Sequence, residues 1–220
     1  MKRVPEPELM DAPAQARAYA EADFSEPNNL FVELALSHLD TRAGGRLLDL
    51  GCGPGDICLR FARALPRWNI AGLDAGPNML ALARQALRSS GLEQRVEFVQ
   101  SRLPDHPFSG QFDAVVSNSL LHHLPDPMSL WQSIARLTRP GGFVQVMDLH
   151  RPADRKTASE LVEVHAAGEP EVLQKDFHNS LLAAWTGEEV ALQLRQAGLD
   201  SLELTRPSDR HWLVQGHLPQ

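Results

Sequence analysis

Apolar residues along the chain first recur at helical spacing and then gather into short runs. Leu30, Leu34, Ala35 and Leu39 fall on one face of a helix, and Gly44-Gly45 stops it. Residues 46–50, 68–73, 96–99, 112–117 and 143–147 then read as five strands, with helices between them. The first of these helices, 57–65, ends at Pro66. The second starts at Gly76-Pro77, carries Met79, Leu80, Ala83, Ala86 and Leu87 on its apolar stripe, and stops at Gly91. Asp126-Pro127 predicts an N-cap and first-turn proline, followed by a buried face of Leu130, Trp131, Ile134 and Leu137. Pro140-Gly141-Gly142 is expected to reset the chain before the fifth strand. This alternation predicts a mostly parallel, doubly wound α/β sheet with helices on both faces. Right-handed crossovers bring all strand C-termini to one edge, and ligands bind there, where the strand order reverses.

The two ends of the pattern differ. Pro5, Pro7, Pro13 and Pro27 punctuate residues 1–27, which predicts a loosely attached arm with one short helix over 14–22. Residues 151–185 hold two helical stripes, Ala158-Leu161-Val162-His165 and Leu173-Phe177-Leu181-Ala184, divided by Gly168-Glu169-Pro170. They read as a helical cap inserted after strand five. Thr186-Gly187-Glu188-Glu189 is a capping box that starts a helix ending at Gly198. Residues 202–205 and 211–215 read as a closing antiparallel pair.

Composition narrows the class. With 220 residues, 43% hydrophobic and 22% charged, the chain suits one soluble domain spanning 1–220. Charge runs 21 basic against 28 acidic with no basic block, which argues against a nucleic-acid partner. There is no 18-residue apolar run and no signal-peptide pattern, so no membrane association and a cytoplasmic location are expected. Cys52 and Cys58 alone make neither a disulfide framework nor a four-ligand zinc site. Cys58 reads as core and Cys52 as a loop filler whose place near a helix N-terminus favours a somewhat acidic thiol. No feature selects an oligomeric state.

The most informative stretch is Leu47-Leu48-Asp49-Leu50-Gly51-Cys52-Gly53-Pro54-Gly55-Asp56, an apolar strand entering a glycine turn and leaving as a helix. Glycines there let a ligand approach the backbone. A dinucleotide loop would read G-x-G-x-x-G, with its pyrophosphate on backbone N–H groups. Here Pro54 has no N–H to give and Asp56 would repel phosphate. A compact, phosphate-free cationic nucleoside fits better, and S-adenosylmethionine is such a ligand. Asp74, at the end of the second strand, is placed to accept from ribose hydroxyls, or else to cap the helix that follows.

With these residues in place the chain resembles the class I S-adenosylmethionine-dependent methyltransferases, closely over residues 40–150 and in outline over 186–215. Leu47–Asp56 resembles that family's first motif and Gly72-Leu73-Asp74 its acidic ribose motif. The stretch from Gln111 to Asn118 resembles its fourth-strand motif, and Arg139-Pro140-Gly141-Gly142-Phe143 the turn before strand five. The resemblance implies a seven-stranded sheet in the order 3-2-1-4-5-7-6 with strand seven antiparallel. It implies Gly51 and Gly53 beside the methionine part of the cofactor, Asp49 at its amino group and Asp74 at its ribose. Ala75 or Met79 would border the adenine, and Asn118 and Ser119 would lie under the sulfonium. After strand three, where the family often has an acidic residue, this chain has Ser101, followed by Arg102 and Leu103. Backbone groups at Arg102-Leu103 would then contact the adenine.

Methyl transfer from a sulfonium asks the protein mainly to align the acceptor and exclude water. A base is needed only where the acceptor must lose a proton early. His122 and His123, after strand four, are the candidate catalytic residues, His122 preferred, with a packing role as the alternative. Neighbours in an extended segment point in opposite directions, so no metal is expected. Asp148, His150 and Arg151 lie on the same edge and read either as substrate contacts or as braces. Tyr19 closes over the cofactor or packs on the sheet, and Phe177 reads as core. The cap favours a small-molecule acceptor in a closed pocket. A non-catalytic cofactor-binding protein and, more remotely, a nicotinamide oxidoreductase are the competing readings.

Overall fold

The computed structural model describes residues 1–6 and 9–220; Pro7, among the prolines noted above, lies outside them. Seven strands form one sheet in the order β3-β2-β1-β4-β5-β7-β6. β1 (Gly45–Leu50), β2 (Trp68–Asp74), β3 (Val96–Gln100), β4 (Phe112–Asn118) and β5 (Thr138–Leu149) run parallel. β6 (Glu203–Thr205) and β7 (His211–His217) pair antiparallel, and β7 also runs antiparallel to β5. The strand order therefore reverses between β1 and β4, the place where open α/β sheets bind ligands.

The central strands are buried on both faces and so read as continuous apolar runs rather than alternations. Leu47, Leu48 and Leu50 of β1 and Ala114, Val115 and Val116 of β4 are fully buried. On one face, α2 (Ser25–Leu36), α3 (Asp56–Ala64) and α4 (Pro77–Arg88) cover them with Phe31, Phe61 and Leu80. On the other, α5 (Met128–Leu137) and α8 (Gly187–Ala197) supply Trp131, Ile134, Val190 and Leu194. The capping box at Thr186 is complete, and Gly198 ends α8 at φ +70°, where other residues are strained.

Three expectations need correction. β5 begins at Thr138, directly after α5, so Pro140-Gly141-Gly142 lies inside the strand, next to a register shift against β4 between Phe112 and Ala114. Asp126 does not sit at the N-cap of α5: Pro127 does, and the Asp126 carboxylate instead accepts from the Met128 N–H at 2.9 Å. The N-terminal arm is docked rather than loose. Ala16 of α1 (Pro13–Glu21) is fully buried. Val4 N–H donates to Leu182 O at 2.9 Å, and Arg3 donates to Ala183 O at 2.5 Å and His122 O at 2.8 Å while lying over the Trp185 ring.

The predicted cap is a helical pair, α6 (Arg155–Ala166) and α7 (Glu171–Ala183), with its own apolar centre of Leu149, Ala158, Leu181, Leu182 and Ala184. Arg151 ties arm to cap, donating to Met1 O, Ala184 O and Glu189. His150 bridges to Trp185. Arg151 is thus a brace, His150 is held through its backbone, and Asp148 lies against His122. No described helix is long and apolar enough to cross a membrane.

Candidate functional site

A cavity of about 590 Å³ opens over the strand C-termini, between the sheet edge, the arm and the cap. Among the predicted site residues, Tyr19, Gly51, Gly53, Asp74, Ala75, Met79, Ser101, Arg102, Leu103, Asn118, Ser119, His122 and His123 all line it. Asp49 does not; it stands behind the glycine loop.

At one end the wall is glycine backbone and carboxylate. Gly51 and Cys52 donate to Leu73 O at 2.7 and 3.0 Å, which holds the loop against β2. Gly51 and Gly53 both have positive φ, +77° and +50°. A Cβ added to Gly53 would meet no atom within 4 Å, so the loop presents open space to a ligand. Asp74 joins the two halves of this end, accepting from Gly53 N–H at 2.9 Å and Gly76 N–H at 2.7 Å. Burial raises the Asp74 pKa, the two N–H groups counteract it, and nearby Asp11 adds to the rise.

Asp74 is not the cap of α4. Asp11, from the arm, accepts from the N–H groups of Asn78 and Met79, each at 3.0 Å. It thus satisfies helix-start donors that α4's own N-cap, Gly76, leaves unpaired. Asp11, Asp23, Glu26 and Asp74 all line this end, an acidic wall suited to a cation and unsuited to phosphate. Tyr19 also lines the cavity, its ring 4.8 Å from Phe24 and its hydroxyl pKa pushed up to about 12 by burial, with Asp74 adding to the rise.

Asp49 is buried with its Oδ2 accepting from Cys58 Sγ–H at 3.3 Å and its Oδ1 without a hydrogen-bond partner among the described residues. Burial lifts its pKa to about 7. Asn118 Oδ1 is likewise buried and unpartnered among the described residues. Buried polar atoms left unpaired are costly and point to a group that arrives later. Ser119, beside it, holds φ +55°, a strained backbone for a non-glycine residue at the sheet's switch point. The Cys52 thiol is not acidic: burial raises its pKa, as it raises that of Cys58.

Toward the cap the wall is mixed: Leu124, Leu149, Leu173 and Phe177 line it together with His165, Glu169, Asp176 and Arg210. Phe177 therefore both packs on the cap's core and faces the cavity. His122 and His123 stand among these residues, on a 3₁₀ turn (Leu121–His123) rather than an extended segment. Their rings lie 4.1 Å apart and both face Glu6, which removes the premise that they point opposite ways. His122 is buried, with Nδ1 2.5 Å from Asp148 Oδ1 and its backbone N–H donating to Asp148 Oδ2 at 3.2 Å. Burial works against charge on this ring, yet Asp148 outweighs it and the His122 pKa lies above its ordinary value. Burial would raise the Asp148 pKa, but His122 holds it below the carboxylate range. Glu6 accepts from Ser180 Oγ–H at 3.0 Å, and burial raises its pKa. Glu6 and Asp11 were missed in sequence reasoning, since neither lies in a motif.

The fold and the glycine-loop end together define a nucleoside-binding α/β protein of the methyltransferase type. A family model described as "Methyltransferase domain" matches residues 47–142. The chain is 34% identical over 175 residues to the ubiquinone biosynthesis O-methyltransferase of Thiobacillus denitrificans, covering 78% of this chain and 73% of that one. It is 37% identical over 139 residues to the ubiquinone biosynthesis O-methyltransferase of Cronobacter sakazakii, covering 60% of this chain and 55% of that relative. The chain thus spans about half the length of several curated relatives it matches, with 50% covered in the Erwinia tasmaniensis protein. Among solved structures, a SAM-dependent methyltransferase from Aquifex aeolicus superposes with TM-score 0.68 at 17% identity, over 94% of this chain and 98% of that one. The plantazolicin methyltransferase in complex with SAH superposes with TM-score 0.70 at 14% identity, over 93% and 91%. These two likenesses show the fold. The chain belongs to the class I S-adenosylmethionine-dependent methyltransferases, whose cofactor is S-adenosylmethionine.

Proposed function

We propose that the protein methylates a hydroxyl oxygen of a small, largely apolar acceptor, a phenol being the best fit, using S-adenosylmethionine. The observation that carries this reading is Asp74, which bridges the glycine loop and the start of α4 inside an acidic wall. The residues present fit the cofactor, because the buried oxygens of Asp49 and Asn118 lack partners and Gly53 faces open space. When bound, the cofactor supplies an electrophilic methyl on a sulfonium.

Asp74 would exchange its backbone donors for the ribose hydroxyls. Ala75, Met79 and the Ser101-Arg102-Leu103 segment would flank the adenine, and Tyr19 would close over it. Gly51 and Gly53 would pass the amino-acid tail. Asp49, behind them, would ionise against its ammonium, and Asn118 and Ser119 would support the sulfur. The acceptor would lie among the apolar residues of the cap, shielded from water by arm and cap. His122, oriented through Nδ1 by Asp148, would direct Nε2 at the hydroxyl and take its proton, with His123 beside it. The printed name of the curated relatives, ubiquinone biosynthesis O-methyltransferase, supports oxygen as the methylated atom.

Incubation with S-adenosylmethionine and a panel of phenols, thiols and amines tests this. S-adenosylhomocysteine should accumulate with the phenols, and mass analysis should place the new methyl on oxygen. Turnover confined to thiols or amines overturns the oxygen assignment. Cofactor binding with no turnover on any acceptor favours the non-catalytic reading.

A further inference from the structure

Where the arm crosses the end of β4, three side chains converge that the methyl-transfer reading does not fully use. Glu6 Oε1 lies 3.2 Å from His123 Nδ1 and 3.6 Å from His122 Nε2. One donor atom from each of the three residues lies within 4.8 Å of the others. Nitrogen and carboxylate donors bound to zinc at about 2.0–2.2 Å stand about 3.3 Å apart in a tetrahedron. The two Glu6 distances bracket that spacing.

A second observation is independent of the spacing. Asp148 holds the far nitrogen of His122, Nδ1, at 2.5 Å, and it also accepts the His122 and Leu149 backbone N–H groups. A histidine that ligates a metal through one nitrogen characteristically gives the other to a carboxylate, which fixes the ring and strengthens it as a ligand. Ser180 donates to the ligand oxygen itself, Glu6 Oε1, at 3.0 Å and so fixes where the third donor stands. Two imidazoles and one carboxylate suit a borderline ion better than a hard one such as Mg²⁺. Glu6 and Asp148 together offer two negative charges within a buried pocket, matching a divalent cation.

We infer that Glu6, His122 and His123 form a binding site for one divalent ion of the zinc type, with Asp148 and Ser180 positioning the ligands. Three protein ligands leave a position open, the arrangement of catalytic rather than structural zinc. His122, His123 and Ser180 line the cavity, so the open position faces the acceptor end. There the ion would bind the acceptor's hydroxyl oxygen, whose proton leaves to water as the oxygen–metal bond forms. Nε2 of His122 is then a ligand, and the ion takes over the proton-removing role assigned to that atom above. Only this last role rests on the methyl-transfer reading; the ion site itself does not.

The test uses the full, untagged chain, freed of metal by a chelator and titrated calorimetrically with Zn²⁺ and, separately, Mg²⁺. Stoichiometric Zn²⁺ binding with none of Mg²⁺ is expected. Glu6→Gln and His123→Gln should each weaken Zn²⁺ at least about tenfold, and Asp148→Asn by about 10–100-fold. S-adenosylhomocysteine affinity should be unchanged in Glu6→Gln, which certifies that the variant is folded. Failure of the wild type to bind Zn²⁺, or undiminished Zn²⁺ affinity in both ligand variants, overturns the ion site. If S-adenosylmethionine still binds in that case, the methyl-transfer reading survives with His122 as the proton acceptor. If Zn²⁺ binds and S-adenosylmethionine does not, the ion site stands and the methyl-transfer reading falls.

Discussion

The glycine-loop end of the cavity is founded on one stretch of chain, from Asp49 to Met79, to which Asp11, Tyr19, Asp23 and Glu26 are added from the N-terminal part of the chain. The histidine end is assembled from four distant stretches: Glu6 on the arm, His122 after β4, Asp148 on β5 and Ser180 on the cap. The first end is rigid because a β-strand, a turn and a helix leave the loop little choice. The second depends on the arm and cap remaining docked. Substitutions at the two ends should therefore affect different measurements.

The largest effect belongs at the histidine end. His122→Gln should lower turnover by about 10²–10⁴-fold, the span of proton-transfer assistance, while S-adenosylhomocysteine affinity is unchanged. Parallel kinetics and calorimetry check this, and an equal loss in both would erase the distinction between the ends. Asp74→Ala should do the reverse, weakening the cofactor by about 1.5–3 kcal/mol, as for a hydrogen bond to a charged group. Unchanged affinity would remove Asp74 from the ribose.

Asp49 supplies a pH-dependent test. Its pKa of about 7 in the empty protein, against an ordinary 3.8, means that the folded state favours the protonated form. Its contribution to stability is therefore full below about pH 4 and lost as pH rises through 7. An ammonium-bearing ligand needs the ionised form, so cofactor affinity should rise through the same window and then level off. Asp49→Asn should flatten both curves, raise the melting temperature of the empty protein at pH 8 and weaken the cofactor. The smallest effect is expected from Asp11→Ala, which removes a helix cap lent by the arm. It should cost about 1 kcal/mol, near 2–4 °C in melting temperature for a chain of this size, with a lesser loss of cofactor affinity than Asp74→Ala. Thermal scans with and without S-adenosylhomocysteine measure both.

The same contrast explains what could be read in advance. The sheet and its order were legible because strand and helix periods alternate cleanly and the Gly51-Cys52-Gly53 turn sits in a recognisable setting. Asp74 was legible because a βαβ unit puts that position beside the loop. Glu6 and Asp11 were not, because proline punctuation marks residues 1–27 as irregular but carries no information about where an irregular segment docks. The His122–Asp148 pair spans 26 residues and two strands, and only the β4–β5 register brings it together. The ring directions of His122 and His123 were misjudged because a single 3₁₀ turn has no periodic signature. The start of β5 was placed late because Pro140-Gly141-Gly142 looks like a turn, whereas the strand continues through it beside a register shift.

Side-by-side calorimetric titration of the purified protein with S-adenosylmethionine and with NADH bears most directly on the acidic, phosphate-averse loop. Saturable binding of S-adenosylmethionine, weakened in Asp74→Ala, with no heat from NADH is the predicted result. Saturation by NADH with no response to S-adenosylmethionine would contradict it.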